Sequence, residues 1–138
     1  MNSKEVLVFK EFVNAINKAD IEELNKLMSE DHTFIDAAGR IETGREKMIK
    51  GWRTYYEMFP DYRIEIEDIV QGEEIIGAFG TAVGTYNGKR GLVPQNIIKM
   101  PAAWRAIIQD GKVKLWQVYA DWTDGMKIIE EDQKYGSF

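Results

Sequence analysis

Residues 102–122, AAWRAIIQDGKVKLWQVYADW, contain the pattern that decides the fold. Two apolar-rich stretches flank Asp110-Gly111, and Asp-Gly is a favoured two-residue turn between antiparallel strands. Such a turn joins strands over residues 96–109 and 112–122. The sequence therefore predicts a long antiparallel hairpin near the end of the chain.

Two further strands precede this hairpin. Tyr62, Ile64 and Ile66 alternate with charged residues, which is the period of a half-buried strand. Residues 74–86 form a longer strand, whose glycines are compatible with a bent or coiled sheet. The KRGLVPQN segment that follows is expected to be a surface loop. The second half of the chain thus predicts four antiparallel strands.

The first half of the chain has helical spacing. Apolar residues recur every three or four positions over residues 4–18, and again from Asp20 to about residue 28. Asp20 begins a D-x-x-E capping motif, and Thr43 begins an S/T-x-x-E capping box that opens a third helix. Pro60 ends that helix, because proline disfavours helical backbone in the residue before it.

A short strand over residues 32–37 lies between the second and third helices. The order of helix, helix, strand, helix and four strands predicts one α+β domain over residues 1–138, with three helices packed on a curved, mainly antiparallel sheet. The tail after Trp122 is expected to hold a short helix, and about residues 1–3 and 131–138 are expected to be frayed.

Composition excludes several classes of function. The formal net charge of −5 and the scattered basic residues argue against nucleic acid or an anionic membrane as a partner. The chain has no cysteine, so thiolate catalysis, disulfides and zinc-thiolate sites are excluded. No metal-ligand cluster or phosphate-binding loop is present, and no cofactor is predicted. The absence of a signal-peptide pattern predicts a cytoplasmic location.

Five segments in this order resemble the nuclear transport factor 2-like superfamily, in particular its SnoaL-like polyketide cyclase and ketosteroid isomerase branches. The segments are ADIEELNKLMSEDHTFIDAAG, TGREKM, FPDYRIEIEDIVQGEE, GTYNG and AAWRAIIQDGKVKLWQVYADW. The resemblance implies a cone-like fold that closes a sheet around an apolar pocket, a homodimer, and a small apolar or aromatic molecule as ligand.

The resemblance also points to Asp36, at the end of the strand over residues 32–37. In the isomerase branch an aspartate at this position is the general base, assisted by a tyrosine and a protonated aspartate. Here the tyrosine position falls on Phe12, and the second acid falls in residues 103–105, which hold no carboxylate. Three interpretations of Asp36 stay open: a catalytic base, a satisfied structural acid, or the solvent-exposed end of a strand.

The last strand departs from the cyclase and epoxide hydrolase patterns as well. Where those families have a catalytic aspartate this chain has Val118, and where cyclases often have a histidine it has Trp116. The resemblance nevertheless implies that alternate residues of this strand, Trp116, Val118, Ala120 and Trp122, point into the pocket.

Arg105 is predicted to lie on the same face of the sheet, because counting outward from the turn places it opposite Trp116. It would either neutralise Asp36 or hold a substrate oxygen. Trp104 is then expected on the outer face, at a dimer interface. Asp121 has the opposite parity to Val118 and is expected at the surface.

The other candidate residues have simpler interpretations. Trp52 and Tyr55 lie on the apolar stripe of the third helix, where they pack in the core and border the pocket. His32 is the only histidine and is expected to be exposed or satisfied, since one histidine makes a poor metal site.

Two functions remain open. One is an isomerase or lyase/cyclase that acts on an apolar carbonyl compound by proton transfer. Its predicted catalytic residues are Asp36 and Arg105, and its substrate contacts are Phe12, Trp52, Tyr55, Trp116, Val118 and Trp122. The other function is a non-catalytic domain of the same fold that binds a ligand or dimerises.

Overall fold

A computed structural model describes residues 3–136. One open, six-stranded sheet carries four helices. The helices are α1 (Lys4–Asn17), α2 (Ile21–Leu27), α3 (Arg45–Met58) and α4 (Thr123–Gln133). The strands are β1 (Met28–Ile35), β2 (Ile41–Thr43), β3 (Arg63–Gln71), β4 (Ile75–Thr85), β5 (Ile97–Gln109) and β6 (Lys112–Ala120), and a 3₁₀ turn spans Pro94–Asn96.

The strand order is β2-β1-β6-β5-β4-β3. β3 to β6 are antiparallel neighbours, as predicted, whereas β1 pairs with β6 in parallel. The predicted α+β class and the packing of helices on a mainly antiparallel sheet are confirmed. The three-residue strand β2 was not predicted, since it is too short to show a period.

Helix boundaries follow local chemistry. Ser3 caps α1, because its Oγ accepts a hydrogen bond from the Val6 backbone N–H at 3.1 Å. Asp20 caps α2 in the same way through the Glu23 N–H at 3.1 Å. The predicted capping box at Thr43 is wrong, because Gly44 is the N-cap of α3 and Thr43 ends β2.

Helix α4 extends further along the chain than predicted. α4 continues to Gln133, and Asp132 is 1% exposed. The expectation of fraying from residue 131 is therefore wrong as far as residue 133, because the Asp132 carboxylate accepts hydrogen bonds from the loop after β4. The expectation for residues 1–2 and 137–138 lies outside the described residues.

A β-bulge in the β5–β6 hairpin decides which side chains face the helices. Gln109 pairs with Lys112 as predicted, but the register then shifts, so that Ile107 pairs with Leu115 and Lys114 is the extra residue. A shift of one residue turns the partner strand's side chains to the opposite face. Arg105 therefore lies opposite Gln117, not Trp116.

The same shift corrects the prediction for Trp104. Its partner is Val118, and its side chain is 2% exposed, so it lies in the core and not on the outer face. The outer face instead presents Phe79 and Tyr119, each 50% exposed. No helix within residues 3–136 has the length and apolar character needed to cross a lipid bilayer.

Candidate functional site: an apolar cavity

A cavity of about 780 Å³ lies between α3, α4 and the sheet. All four tryptophans of the chain, Trp52, Trp104, Trp116 and Trp122, line it. Backbone alternation along β6 brings Trp116, Val118 and Ala120 to this face, as predicted, and Trp122 follows at the start of α4. Because of the bulge, Trp104 of β5 joins them.

An aromatic wall covers the side formed by α3. Tyr55 packs against Phe59, with ring centroids 5.0 Å apart, and edge-on against Tyr62 at 4.9 Å. Phe59 also lies 6.1 Å from the ring of Trp122. Trp52 and Tyr55 thus line the cavity as predicted. Tyr62 was predicted only as the start of a strand and not as a site residue, although its place just after Pro60 and before β3 puts it beside the end of α3.

Helix α4 closes another side of the cavity. Trp122, Met126 and Ile129 follow helical spacing, and all three line the cavity. The helix is tied to the loop after β4 by Asp132, which accepts hydrogen bonds from the backbone N–H groups of Lys89 and Arg90, both at 2.8 Å.

The contacts of Asp132 make it a stable buried anion. Asn96 Nδ2 donates to its carboxylate at 2.9 Å. Burial alone would raise the pKa of Asp132, but the donors from Asn96, Arg90 and Lys89 outweigh burial and hold the pKa below its usual value. Gly88 is required here, because a Cβ at this position would collide with the Asp132 carboxylate.

The charged residues of the lining lie at its exposed rim and pair with one another. Among residues 3–136 they are Asp36, Arg40, Glu42 and Lys47. Arg40 Nε lies 2.9 Å from Asp36, and Lys47 Nζ lies 3.7 Å from Glu42. The side chains of Arg40 and Lys47 are 83% and 71% exposed. The interior of the cavity is therefore neutral.

Asp36 lies in the turn between β1 and β2, at the rim of the cavity. Its Oδ1 accepts hydrogen bonds from the backbone N–H groups of Ala38 and Arg40, and its Oδ2 accepts one from Arg40 Nε, each at 2.9 Å. Burial would raise the pKa of Asp36, but these donors outweigh it and lower the pKa below the ordinary aspartate value. This arrangement is that of a satisfied structural acid.

Two of the residues predicted for the site lie elsewhere. Arg105 is on the sheet face away from the cavity. There its Nη1 donates a hydrogen bond to Gln117 Oε1 at 3.5 Å. The expected pairing of Arg105 with Asp36 is wrong, because the bulge reverses the face. Phe12 is fully buried beneath Trp116, at a ring distance of 4.9 Å, and does not line the cavity. The predicted substrate contact at Phe12 is therefore wrong.

His32 is a core residue next to the site. Its side chain is fully buried, and Nδ1 lies 2.7 Å from the Val113 carbonyl oxygen. Burial lowers the pKa of His32, which more than offsets the contributions of Val113 and Asp31. His32 is thus neutral and donates from Nδ1. Within residues 3–136, no group of three or more histidine and acidic side chains is arranged to hold a metal ion.

The comparisons with known proteins agree with this architecture. A family model described as the SnoaL-like domain matches residues 9–116. The chain belongs to the SnoaL-like domain family. This SnoaL-like protein matches no curated protein. The resemblance to the nuclear transport factor 2-like superfamily is thereby confirmed.

Solved structures share the fold of this SnoaL-like protein. A candidate SnoaL-like polyketide cyclase from Jannaschia sp. CCS1 aligns over 91% of each chain, with a TM-score of 0.78 and 18% identity. IdmH, a candidate polyketide cyclase from Streptomyces antibioticus, aligns over 93% of this chain and 99% of its own, with a TM-score of 0.76 and 19% identity.

An LEH-like epoxide hydrolase from M. tuberculosis is similar as well. It aligns over 94% of this chain and 92% of its own, with a TM-score of 0.76 and 14% identity. At these identities the likeness is one of fold, so function has to be argued from the cavity itself.

Proposed function

We propose that this SnoaL-like protein binds a small, neutral, largely apolar molecule in the cavity between α3, α4 and the sheet. The observation that carries the proposal is a cavity of about 780 Å³ whose charged lining residues lie at the rim and pair with each other. Transfer of a charged group into such an interior would be costly without a partner, whereas apolar surface gains by leaving water.

The shape of the walls favours ring compounds. Four indoles and the rings of Tyr55 and Phe59 surround the cavity, and flat aromatic faces contact flat ligands over a large area. The names of two structural relatives, as candidate polyketide cyclases, are compatible with a ring-bearing ligand.

Proton-transfer catalysis by Asp36 has less support than binding. Its two carboxylate oxygens accept three hydrogen bonds, and its lowered pKa makes it a weak base. Arg105, the second proposed catalytic residue, lies on the other face of the sheet. We therefore propose a binding function in which Asp36 stabilises the turn between β1 and β2 at the rim of the cavity.

A homodimer is part of the same proposal. Phe79 and Tyr119 are exposed on the outer face of the sheet, at 50% each, so this face has apolar surface to bury against a second copy. Sedimentation equilibrium measures this directly, and a single species of monomer mass at working concentrations would contradict it.

The binding function is tested with fluorene, a flat hydrocarbon without polar atoms. Because Trp52, Trp104, Trp116 and Trp122 all line the cavity, fluorene should change the tryptophan emission saturably and raise the melting temperature. The Glu131→Gln variant, exposed on α4 and outside the cavity lining, serves as the control and should bind fluorene as the wild type does. Absence of saturable binding by any flat apolar probe would contradict the proposal.

A further inference from the structure

The cavity has an apolar interior, but two tyrosines, Tyr55 and Tyr62, are part of its lining. We propose that Tyr55 and Tyr62 form a pair of hydrogen-bond donors for one neutral acceptor oxygen of the ligand, such as a carbonyl. This inference rests on the proposed binding function and names the polar group that the ligand must carry. In this proposal the two tyrosines determine how the ligand is oriented within the cavity.

The rings of Tyr55 and Tyr62 pack directly against each other in the cavity wall. Tyr55 is on α3 and Tyr62 lies just before β3, with ring centroids 4.9 Å apart and planes at 88°. Both residues line the cavity. They approach the same wall from two different elements, so the packing of α3 against the start of β3 fixes their relative position.

The hydroxyls of this pair are free, unlike the one beside them. Tyr56 donates from its hydroxyl to the Ile16 carbonyl oxygen at 2.7 Å. None of the hydrogen bonds among residues 3–136 involves the hydroxyl of Tyr55 or Tyr62. Neither oxygen is among the fully buried polar atoms without a partner, whereas the indole nitrogens of Trp52 and Trp104 are. The two tyrosine hydroxyls therefore keep accessible surface, and both residues line the cavity.

Electrostatics determines what these hydroxyls can bind. Burial, together with the neighbouring tyrosines, raises the pKa of Tyr55 well above its usual value, and burial raises that of Tyr62. Both groups are therefore neutral donors at physiological pH, and neither supplies a base. A carboxylate would enter the cavity without a cation to pair with, since Arg40 and Lys47 stay at the rim. A neutral oxygen matches the site.

The experiment compares fluorenone with fluorene, which have nearly the same shape and differ by one carbonyl group. Wild-type protein should bind fluorenone at least about fivefold more tightly than fluorene, which corresponds to one net neutral hydrogen bond. The Tyr55→Phe, Tyr62→Phe and double variants should lose this preference progressively while binding fluorene unchanged. Tyr119→Phe, on the exposed outer face, is the matched control and should keep the preference.

A second readout separates oxygen binding from a general effect on packing. The carbonyl stretching band of bound fluorenone should lie at lower frequency in the wild type than in the double variant, because a donated hydrogen bond weakens the C=O bond. Equal wild-type affinities for the two compounds, or an unchanged preference and band in the double variant, would overturn the inference and leave the proposed function intact. Absence of binding by both compounds would overturn both.

Discussion

His32 shows how one buried side chain supports the strand that lines the cavity. Val113, whose carbonyl oxygen accepts from His32 Nδ1, directly precedes Lys114, the extra residue of the bulge. The pairing of β1 with β6 also shifts in this region, between Met28 and Thr33. The His32 side chain thus donates a hydrogen bond to a backbone carbonyl group at the point where the hydrogen-bond ladder of the sheet is interrupted. We infer that His32 stabilises the register that directs Trp116 into the cavity.

This role predicts a pH dependence of stability. The pKa of His32 is lowered in the folded protein, so the unfolded chain takes up the proton first as the pH falls below about 6.5. The contribution of neutral His32 is therefore present above that pH and is lost below it. Urea unfolding at about pH 7.5 and about pH 5.5 measures this change.

The matched variant for that measurement is His32→Asn, which keeps an N–H donor near the position of Nδ1 but does not titrate. The difference in free energy of unfolding between wild type and variant should shrink on acidification. A difference that stays constant between the two pH values would contradict the assignment of a neutral, buried His32.

Asp36 shows what a resemblance predicts well and what it does not. The resemblance placed Asp36 at the pocket, and the side chain lies at the rim of the cavity. Its partner was not, because Arg40 is four residues away in a turn whose geometry no family pattern gave. Aspartate side chains that accept a hydrogen bond from the backbone N–H two residues on are typical of turns. The D-x-x-G-R sequence over residues 36–40 therefore offers Asp36 donors within its own turn, without a partner from another strand.

At the scale of elements, the hairpin of β5 and β6 was predicted with the correct turn and the correct faces of β6, but with the two faces of β5 exchanged. The turn follows from Asp110-Gly111 alone, but the bulge depends on how the whole strand packs. Leu115 and Trp116 are adjacent apolar residues, which break the alternation and are the available signal for an extra residue. Because one residue reverses the parity, the predictions for Trp104 and Arg105 failed together.

Helix α4 provides the prediction at this scale. In Asp132→Asn, a neutral amide replaces the carboxylate that accepts hydrogen bonds from three donors. These donors are the backbone N–H groups of Lys89 and Arg90 and the side-chain amide of Asn96. Because Asp132 and Asn96 are buried, the variant should lose about 3 kcal/mol of unfolding free energy. Glu131→Gln, exposed in the same helix, should change it by less than about 0.5 kcal/mol. Similar losses in both variants would contradict the role of Asp132 in fixing α4.

The boundaries of α4 could not be predicted because its stability is not local. The segment has Gly125 in its first turn and a polar end, both of which favour fraying. Its order comes from the buried contact of Asp132 with a loop about forty residues earlier in the chain. Helices α1 to α3, by contrast, have clear apolar spacing, and their positions followed from sequence.

At the scale of the molecule, the fold separates a neutral interior from a charged surface. The chain has a net charge of −5, yet the charged groups of the cavity are paired at its rim. The order of elements followed from the sequence pattern, and the aromatic lining on β6 followed from the family resemblance. The size of the cavity did not, because it depends on how far α3 and α4 stand from the sheet.

The central claim, that this cavity binds apolar molecules, is tested most directly by filling it. Ala120 of β6 lines the cavity. Ala103 of β5 pairs with Tyr119 and, like Tyr119, lies on the outer face of the sheet. Ala120→Leu adds three carbons to the cavity wall, and Ala103→Leu adds the same three carbons outside it. The measurement is the fluorene dissociation constant of each variant. Our account predicts a weakening of about tenfold or more for Ala120→Leu and no change for Ala103→Leu; equal affinities in the two variants would contradict it.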